Sequence, residues 1–295
     1  MKYQHVVGMD IAKDSVQASC FDGTTFLDFS FPNQEKSFLK KVQKSIPKSD
    51  PSHILFVMEA TGVYHLKLAT ALYKEGYSVA VVNPFIIKKY AEMLLKRAKT
   101  DRNDARLIAQ FGFYQEVTLF APKENLAEEI TQVLKGLDQL KKERTNLKNY
   151  QEALSHHNEI NPVVRDIYQK QLKEVEKAIK TLEAEAKRLV CQYAPKEYQL
   201  LLSIKGIGKC SATALLGFLQ KMDRFSRGKE VASFLGLAPQ ISQSGKDKGK
   251  AWLSKKGNGY LRRLLYLAAL SASRSNAQCR ELYQRLLAKG KPKKV

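Results

Sequence analysis

Short apolar runs and amphipathic stretches alternate along the first third of the chain. The short runs have the length of strands, and within them the residues are either all apolar or alternately apolar and polar. In the stretches between them, apolar residues recur at helical spacing. The predicted strands are His5–Met9, Ser15–Phe21, Thr25–Phe31, Ile54–Met58 and Ser78–Val82, and the predicted helices are Ser37–Ile46 and Tyr64–Glu75. Three antiparallel strands followed by alternating helices and strands predict an α/β fold with a mixed sheet covered on both faces.

The middle of the chain changes to helical spacing on both sides of a polar break at 155–162. The recurring apolar residues are Leu126, Ile130, Val133, Leu137, Leu140, Leu147 and Leu154, then Ile167, Leu172, Val175, Ile179, Leu182 and Leu189. Two long helices fit this pattern, either as a hairpin within one chain or as a coiled coil between chains. The pattern is equally consistent with a helical spacer and with a dimerisation arm.

The last third is predicted to be mostly helical. Leu201–Leu219 places Gly206 and Gly208 between two apolar runs, and Gly259–Ser273 has the pattern of another helix. The final KGKPKKV is expected to be a disordered, solvated tail. We therefore predict three domains, an α/β domain at 1–120, a helical coiled-coil segment at 121–199 and a basic helical domain at 200–295.

Length and composition exclude several classes of protein. No stretch approaches the 18 consecutive apolar residues of a membrane span, and no signal peptide is recognisable. Four scattered cysteines without a C-x-x-C pair argue against a zinc module and against a disulfide framework. The expectation is a reduced, cytoplasmic protein, and its positive charge adds an attraction to nucleic acid.

The positive charge is concentrated at the C-terminal end. The formal net charge is +21, of which residues 1–120 contribute +4, residues 121–199 contribute +1 and residues 200–295 contribute +16. A strongly basic part attracts polyanions such as nucleic acid. The chain therefore combines a nearly neutral part with a part suited to binding polyanions.

Two acids follow predicted buried strands. Asp10 comes after the apolar run VVGM, and Glu59 ends LFVM immediately before Ala-Thr-Gly. A carboxylate at the end of a buried strand is costly unless a partner or a metal stabilises its charge. Each acid alone is also explained as a turn or capping residue, but two such positions are less easily explained in that way.

A second pair of acids lies in KTDRNDARLIA. Asp101 and Asp104 are three residues apart, and on a helix they share one face and repel. Capping and the helix dipole explain acids in a first turn, whereas a divalent cation would remove the repulsion altogether. Mg²⁺ binds a few carboxylates and leaves positions for substrate phosphate, and Mn²⁺ is accepted by similar ligands. Two such ions assist phosphoryl transfer.

The chain resembles the bacterial insertion-sequence transposases of the DEDD class, the "one-ten" family, which are relatives of pilin-gene inverting recombinases. The resemblance runs in order through GMDIAKDSV, MEATGVYHLKLATALYKEGYSVAVVNP, KRAKTDRNDARLIA, LLSIKGIGK, FLGLAPQISQSGKDKG and SKKGNGYLRRLLY. It implies a ribonuclease-H/resolvase-like N-terminal fold with Asp10, Glu59, Asp101 and Asp104 as the metal-binding acids. It also implies DNA transposition guided by an element-encoded non-coding RNA, and assembly as dimers or tetramers.

Basic residues gather in the part that resembles the transposase C-terminal domain. Gly206 and Gly208 resemble a helix-hairpin-helix turn, in which glycines let the backbone approach a phosphate, although an ordinary helix–helix turn fits as well. Residues 236–263 hold five lysines and two arginines with a single acid. The predicted nucleic-acid-binding residues are Lys205, Gly206, Gly208, Lys209, Lys246, Lys248, Lys250, Trp252, Lys255, Lys256, Arg262 and Arg263.

Ser244 precedes Gly245 in the same segment. By composition this pair is a flexible turn, whereas the resemblance implies that Ser244 is the nucleophile that attacks DNA, with Ser242 as the competing position. One glycine follows Ser244 where the family commonly has two. A serine needs a base or a metal to act as a nucleophile, and all five histidines precede residue 158. Activation is therefore expected from the N-terminal acids of the same or another subunit.

Two other functions compete with a serine recombinase. A metal-dependent junction-resolving nuclease would use the same four acids with water as the nucleophile, and no covalent protein–DNA adduct would form. A non-catalytic nucleic-acid-binding protein would use the acids only as turn and cap residues. In that case Asp10→Asn and Glu59→Gln would leave function unchanged.

Overall fold

The computed structural model describes residues 3–33, 38–46, 49–60, 62–95, 101–122, 124–220, 225–240, 243–244, 247–248, 252–254 and 256–292. At 38–39, 243–244, 247–248 and 252 it describes the backbone alone. The chain divides into two compact units, Met1–Pro122 and Lys123–Val295. The helical segment and the basic segment share the second unit, so the predicted boundary at 199 stays a prediction.

A mixed sheet forms the centre of the first unit. Its strands are β1 (His5–Ile11), β2 (Ser15–Phe21), β3 (Phe26–Pro32), β4 (Ile54–Glu59) and β5 (Ser78–Val82). They lie in the order β3-β2-β1-β4-β5. The pairs β1–β2 and β2–β3 are antiparallel, whereas β1–β4 and β4–β5 are parallel. This arrangement confirms the predicted mixed sheet.

Alternation along the strands sends side chains to two cores on opposite faces. On one face, Val7 and Met9 join Phe56 and Met58 in the core that contains the buried residues of α1 (Phe38–Ser45) and α2 (Leu66–Lys74). On the other face, the core contains Val6, Leu55, Val57, Ala80 and residues of α3 (Pro84–Met93) and α4 (Asp101–Tyr114). The sheet is therefore covered on both faces, as predicted.

Helix α3 was not among the predicted elements, although its start has a clear local signal. The side chain of Asn83 accepts a hydrogen bond from the amide of Phe85 at 2.9 Å, and Pro84 occupies the first helical position. An Asn cap followed by proline is a favoured helix start. The tripeptide Val-Asn-Pro therefore carried enough information to predict this helix.

Two long helices begin the second unit, as predicted. They are α5 (Asn125–Ser155) and α6 (Pro162–Tyr193), of 31 and 32 residues. Lys141 pairs with Glu183 at 2.7 Å and Lys148 pairs with Glu176 at 3.0 Å, so the later residue of α5 pairs with the earlier residue of α6. The helices are therefore antiparallel and pack on each other within one chain, through a core that includes Ile130 and Leu134.

Five further helices follow in the described part of the second unit: α7 (Pro195–Ser203), α8 (Lys209–Leu219), α9 (Gly228–Phe234), α10 (Gly259–Ser275) and α11 (Ala277–Ala288). Leu215, Leu235, Tyr260 and Leu261 form part of their shared core. Helix α11 was missed, although Asn276 caps it by accepting from the Cys279 amide at 3.2 Å. No helix in the described ranges is long and apolar enough to cross a membrane.

The described part of residues 239–253 contains four strands of two residues each. They are β6 (Pro239–Gln240), β7 (Gln243–Ser244), β8 (Asp247–Lys248) and β9 (Trp252–Leu253). β6 pairs with β9 and β7 pairs with β8, both antiparallel. No strand was predicted at these positions. The polar composition concealed the strands, because pairs this short carry too few residues for alternation to be visible.

Candidate active site and nucleic-acid interface

Asp10 and Glu59 lie side by side at the carboxyl ends of two neighbouring strands. In the parallel pair β1–β4, Gly8 is opposite Val57 and Met9 is opposite Met58, and the two acids are the next residue on each strand. Because side chains alternate, each acid lies on the face of Gly8 and Val57, which is the face covered by α4. Both acids are half-buried.

The direction of α4 follows from its contacts with the sheet. A Cβ atom added at Gly112 would overlap the side chains of Val6 and Val57, and one added at Gly8 would overlap the backbone of Ala105 and Ala109. Later residues of α4 therefore lie over earlier residues of β1, and the helix runs antiparallel to the strand. Its first turn is directed towards the strand end that carries the two acids, and Gly8 allows this close approach.

Asp101 and Asp104 occupy that first turn of α4. The topology thus directs all four predicted acids to one edge and one face of the sheet, which we call the acidic edge. Acids in a first turn also interact favourably with the helix dipole, so the helix explains part of their presence. Among the described residues, no group of three or more His, Cys, Asp or Glu side chains is arranged so that it could hold a metal ion.

Asp28 on β3 links the sheet to α4 and was missed by the sequence analysis. Its carboxylate accepts hydrogen bonds from the Arg106 Nε at 2.9 Å, the Arg102 Nε at 2.6 Å and the Ser19 Oγ at 2.8 Å. These hydrogen bonds, above all that from Arg106, hold the pKa of Asp28 well below its usual range. No local signal could have revealed the network, because Asp28 and Arg106 are 78 residues apart.

The glycines of the predicted helix-hairpin-helix turn have different surroundings. Gly206 has φ +110°, and an added Cβ would overlap Ala272, so packing of the turn against α10 requires glycine there. Gly208 precedes the first turn of α8, and nothing lies within 4 Å of an added Cβ. Open space at a helix start is what phosphate binding requires, and this observation distinguishes Gly208 from Gly206.

Lys205 and Lys209 flank this turn and are exposed. Within the part of the chain that the structure describes, neither of them forms an ion pair. Lys256 is also exposed, and it makes contacts of its own. The turn therefore presents two cations whose charge no described acid neutralises.

Ser244 is the last residue of β7. It is opposite Asp247, and only residues 245 and 246 separate the two along the chain. Its side chain lies outside the described part, as do those of Lys248 and Trp252. Ser242, Lys246, Lys250 and Lys255 lie outside the described residues altogether. Their predicted roles stay predictions.

Comparison with known proteins gives a consistent result along the chain. Residues 7–162 match the DEDD family of IS110 transposases, and residues 198–284 match the transposase family IS116/IS110/IS902. The chain belongs to the IS110 family of transposases. The predicted family is thereby confirmed, and membership implies transposase or recombinase activity on DNA.

Named relatives of the transposase include two gene-inverting proteins. The pilin gene-inverting proteins of Moraxella lacunata and Moraxella bovis are 30% and 29% identical to it, over 98% of this chain and 89% of each relative. The transposase for insertion sequence element IS1111A of Coxiella burnetii is 25% identical, over 90% of this chain and 77% of that protein. The likeness therefore extends through both units.

Two arginines predicted to bind nucleic acid have partners inside the transposase. Arg262 donates a hydrogen bond to the Leu235 carbonyl at 3.1 Å. Arg263 pairs with Asp138 at 3.4 Å and lies 5.4 Å from the centre of the Tyr260 ring. These contacts give both arginines a structural role, which the basic pattern of the sequence did not distinguish from nucleic-acid binding.

The chemistry of the acidic edge suits a hard divalent cation. Four carboxylates supply oxygen ligands of the kind that Mg²⁺ binds. The antiparallel course of α4 and its close approach at Gly8 direct them to one edge. The donor set therefore matches the ligands that magnesium prefers, while among the described residues no three of these side chains are grouped so that they could hold a metal ion.

Proposed function

We propose that the transposase cuts and rejoins DNA through a carboxylate site made of Asp10, Glu59, Asp101 and Asp104, with Ser244 as the nucleophile. The observation that carries this proposal is the convergence of β1, β4 and the first turn of α4 on the acidic edge. We further propose that the sheet unit is ribonuclease-H/resolvase-like. A mixed five-stranded sheet with acids at its parallel strand ends supports this assignment.

The acids would hold Mg²⁺, or Mn²⁺ in its place, which would supply positive charge to the oxygens of the scissile phosphate. Asp10 and Glu59 would provide the fixed part of the site, because they belong to paired strands of one sheet. Asp101 and Asp104 would complete it from α4. Four like charges on one edge repel one another, and binding a cation relieves that repulsion.

Ser244 would form a phosphoserine ester with one DNA end. In this step its Oγ bonds to phosphorus, the bond from phosphorus to the leaving deoxyribose oxygen breaks, and the serine proton is lost to a base. A free DNA hydroxyl then attacks the ester and releases the serine, so the strand is rejoined without an external energy source. No histidine follows residue 157, so a Ser-His-Asp arrangement within 200–295 is impossible.

The basic unit would bind nucleic acid, including an element-encoded guide RNA. The net charge of +16 in residues 200–295 and the unneutralised lysines of the turn support binding of a polyanion. We propose assembly as a dimer or tetramer, to which the exposed parts of the α5–α6 hairpin would contribute coiled-coil contacts. The names of the Moraxella relatives support gene inversion as a related use of the same chemistry.

A covalent adduct on nicked DNA tests the proposed nucleophile. The wild-type transposase, incubated with Mg²⁺ and a substrate whose rejoining strand is missing, is expected to give a protease-sensitive protein–DNA adduct. Ser244→Ala should abolish the adduct, whereas the neighbouring Ser242→Ala should retain it. Cleavage by Ser244→Ala without any adduct would instead support a nuclease that uses water.

Sequencing the nucleic acid that copurifies with the transposase tests the guide. We expect an RNA encoded by the element, and its removal by ribonuclease should abolish strand exchange on target DNA. Undiminished exchange after complete RNA removal would contradict guidance. Mass measurement of the loaded complex by light scattering would establish whether it is a dimer or a tetramer.

A further inference from the structure

Asp28, on the edge strand β3, links the sheet to α4. Its side chain is 17% exposed, and its carboxylate receives both the Nε and the Nη2 of Arg106, at 2.9 and 2.5 Å. Such a two-point fork is directional, unlike most surface ion pairs. The buried Ser19 donates to the same carboxylate at 2.8 Å, so the acid is itself held in place from β2.

Arg106 also has a second restraint. Its guanidinium carbon lies 5.1 Å from the centre of the Phe26 ring on β3. The planar guanidinium is therefore held by a carboxylate at its edge and by an aromatic ring over its face, a combination that lysine cannot reproduce. The first two turns of α4 are thus attached to β3 at a defined point.

The attachment to β3 is independent of the packing at Gly8. Arg106 follows Ala105, whose backbone lies against Gly8 of β1. Adjacent residues of an α-helix point about 100° apart, so these two contacts restrain the helix from different directions. The contact at Gly8 fixes how closely α4 approaches the sheet, whereas the fork at Asp28 fixes its rotation about its own axis.

The acids of α4 are interleaved with the arginines that Asp28 holds. Asp101 immediately precedes Arg102, and Asp104 lies two residues before Arg106. Any rotation of the helix would therefore change the direction of both acids relative to the acidic edge.

We propose that Asp28, acting through Arg106, is a positioning residue that sets the direction of Asp101 and Asp104 towards Asp10 and Glu59. This inference rests on the proposed metal-binding function of the acidic edge. It assigns Asp28 no contact with the metal or with DNA. Its expected signature is a loss of metal affinity without any loss of a ligand.

Binding of Mn²⁺ to the full-length transposase, without nucleic acid and followed by the electron paramagnetic resonance of the free ion, tests the proposal. Asp28→Asn and Arg106→Lys are expected to weaken Mn²⁺ binding by about tenfold or more, as residues that support metal ligands do. Asp22→Asn is the matched control. It lies between β2 and β3, where its carboxylate binds Thr24 and Thr25 and makes no described contact with α4.

The variants separate the possible failures. If Asp10→Asn abolishes Mn²⁺ binding while Asp28→Asn and Arg106→Lys retain wild-type affinity, the metal site stands and the positioning role is overturned. If Asp10→Asn binds Mn²⁺ as tightly as the wild type does, the proposed metal site fails, and the positioning role fails with it. Should Asp28→Asn not fold, judged by circular dichroism, the charge-conserving Arg106→Lys decides the matter.

Discussion

Two charged regions of the transposase, the first turns of α4 and the turn before α8, differ in whether their basic side chains form ion pairs. In the first unit, Asp28 accepts hydrogen bonds from two arginines of α4, the same helix that carries Asp101 and Asp104. In the second unit, Lys205 and Lys209 are left without an ion pair to any described acid. The arginines of α4 therefore have an acidic partner within their own unit, whereas these two lysines keep a charge that a phosphate would neutralise.

The difference explains why a single net charge says little about this protein. Residues 1–120 carry +4 and residues 200–295 carry +16, so a substitution should affect chemistry or binding according to the unit in which it lies. Four measurements test this division.

Asp10→Asn should cause the largest loss. We expect DNA strand exchange to fall by at least about a hundredfold, the magnitude typical of removing one charge that stabilises a transition state. DNA affinity should stay the same or increase slightly, because a negative charge near the phosphates has been removed. Gel analysis of exchange and fluorescence anisotropy of binding measure the two quantities separately.

The exposed Asp50 provides a control for Asp10. Its carboxylate caps a short helical turn by accepting from the Ser52 amide at 2.8 Å, and this turn precedes β4 at the end of the strand opposite to Glu59. Asp50→Asn should leave strand exchange unchanged. Equal activity of the Asp10→Asn variant and the wild type would instead favour a protein whose acids serve only as turn and cap residues.

Replacing both Lys205 and Lys209 by glutamine should affect binding and not chemistry. Each lysine that contacts a phosphate contributes close to one unit to the slope of log affinity against log salt, so the slope should fall by about 2. Salt titrations of DNA binding measure this slope. Lys148→Gln is the control, since Lys148 already pairs with Glu176 at 3.0 Å. An unchanged slope in the double variant would place the phosphate contacts elsewhere.

The sequence was sufficient for features that depend on nearby residues. Alternation placed β2 at its observed bounds, an apolar run did the same for β5, and periodic leucines placed α5 and α6. Apolar runs ending in Asp10 and Glu59 placed these acids at strand ends. Each of these patterns lies within a single element, where spacing determines which side chains share a face.

Features that join distant residues could not be predicted in this way. The fork between Asp28 and Arg106 depends on how α4 crosses the sheet, and no pattern in either segment indicates it. Gly206 illustrates the converse problem. It looked like part of a phosphate-binding turn, whereas its φ of +110° and its close contact with Ala272 already require glycine there. A motif shows only that glycine is present. The fold then shows whether its local packing or the approach of a phosphate accounts for it.

Glycine substitutions should separate the packing of the two units. Gly8→Ala should destabilise the sheet unit by about 1–3 kcal/mol, because the added methyl group overlaps the backbone of α4. Gly136→Ala lies within α5 and meets only Leu182 at an ordinary distance of 3.5 Å. It should stabilise the hairpin by about 0.5–1 kcal/mol.

Hydrogen exchange followed by mass spectrometry reads these effects in each unit separately. Peptides from β1 should exchange faster in Gly8→Ala, and peptides from α5 should exchange more slowly in Gly136→Ala. Unchanged protection of β1 in Gly8→Ala would mean that α4 does not approach the strand as closely as we describe. The same result would remove the main argument for the direction of Asp101 and Asp104.

Thiol reactivity should distinguish the two units in the native protein, without any substitution. Burial raises the pKa of the Cys20 thiol on β2 to about 11, whereas Cys210 and Cys279 of the second unit are exposed. At pH 8 a thiol with that pKa is about one thousandth thiolate, the reactive form. Iodoacetamide should therefore label Cys210 and Cys279 in the native protein and reach Cys20 only after unfolding, as peptide mass spectrometry would detect.

Raising the pH towards 11 should increase labelling of Cys20 only if the sheet opens. Burial not only raises the pKa of this thiol but also keeps the reagent away from it. Labelling of native Cys20 as fast as Cys279 would contradict the closed packing on which the acidic edge depends.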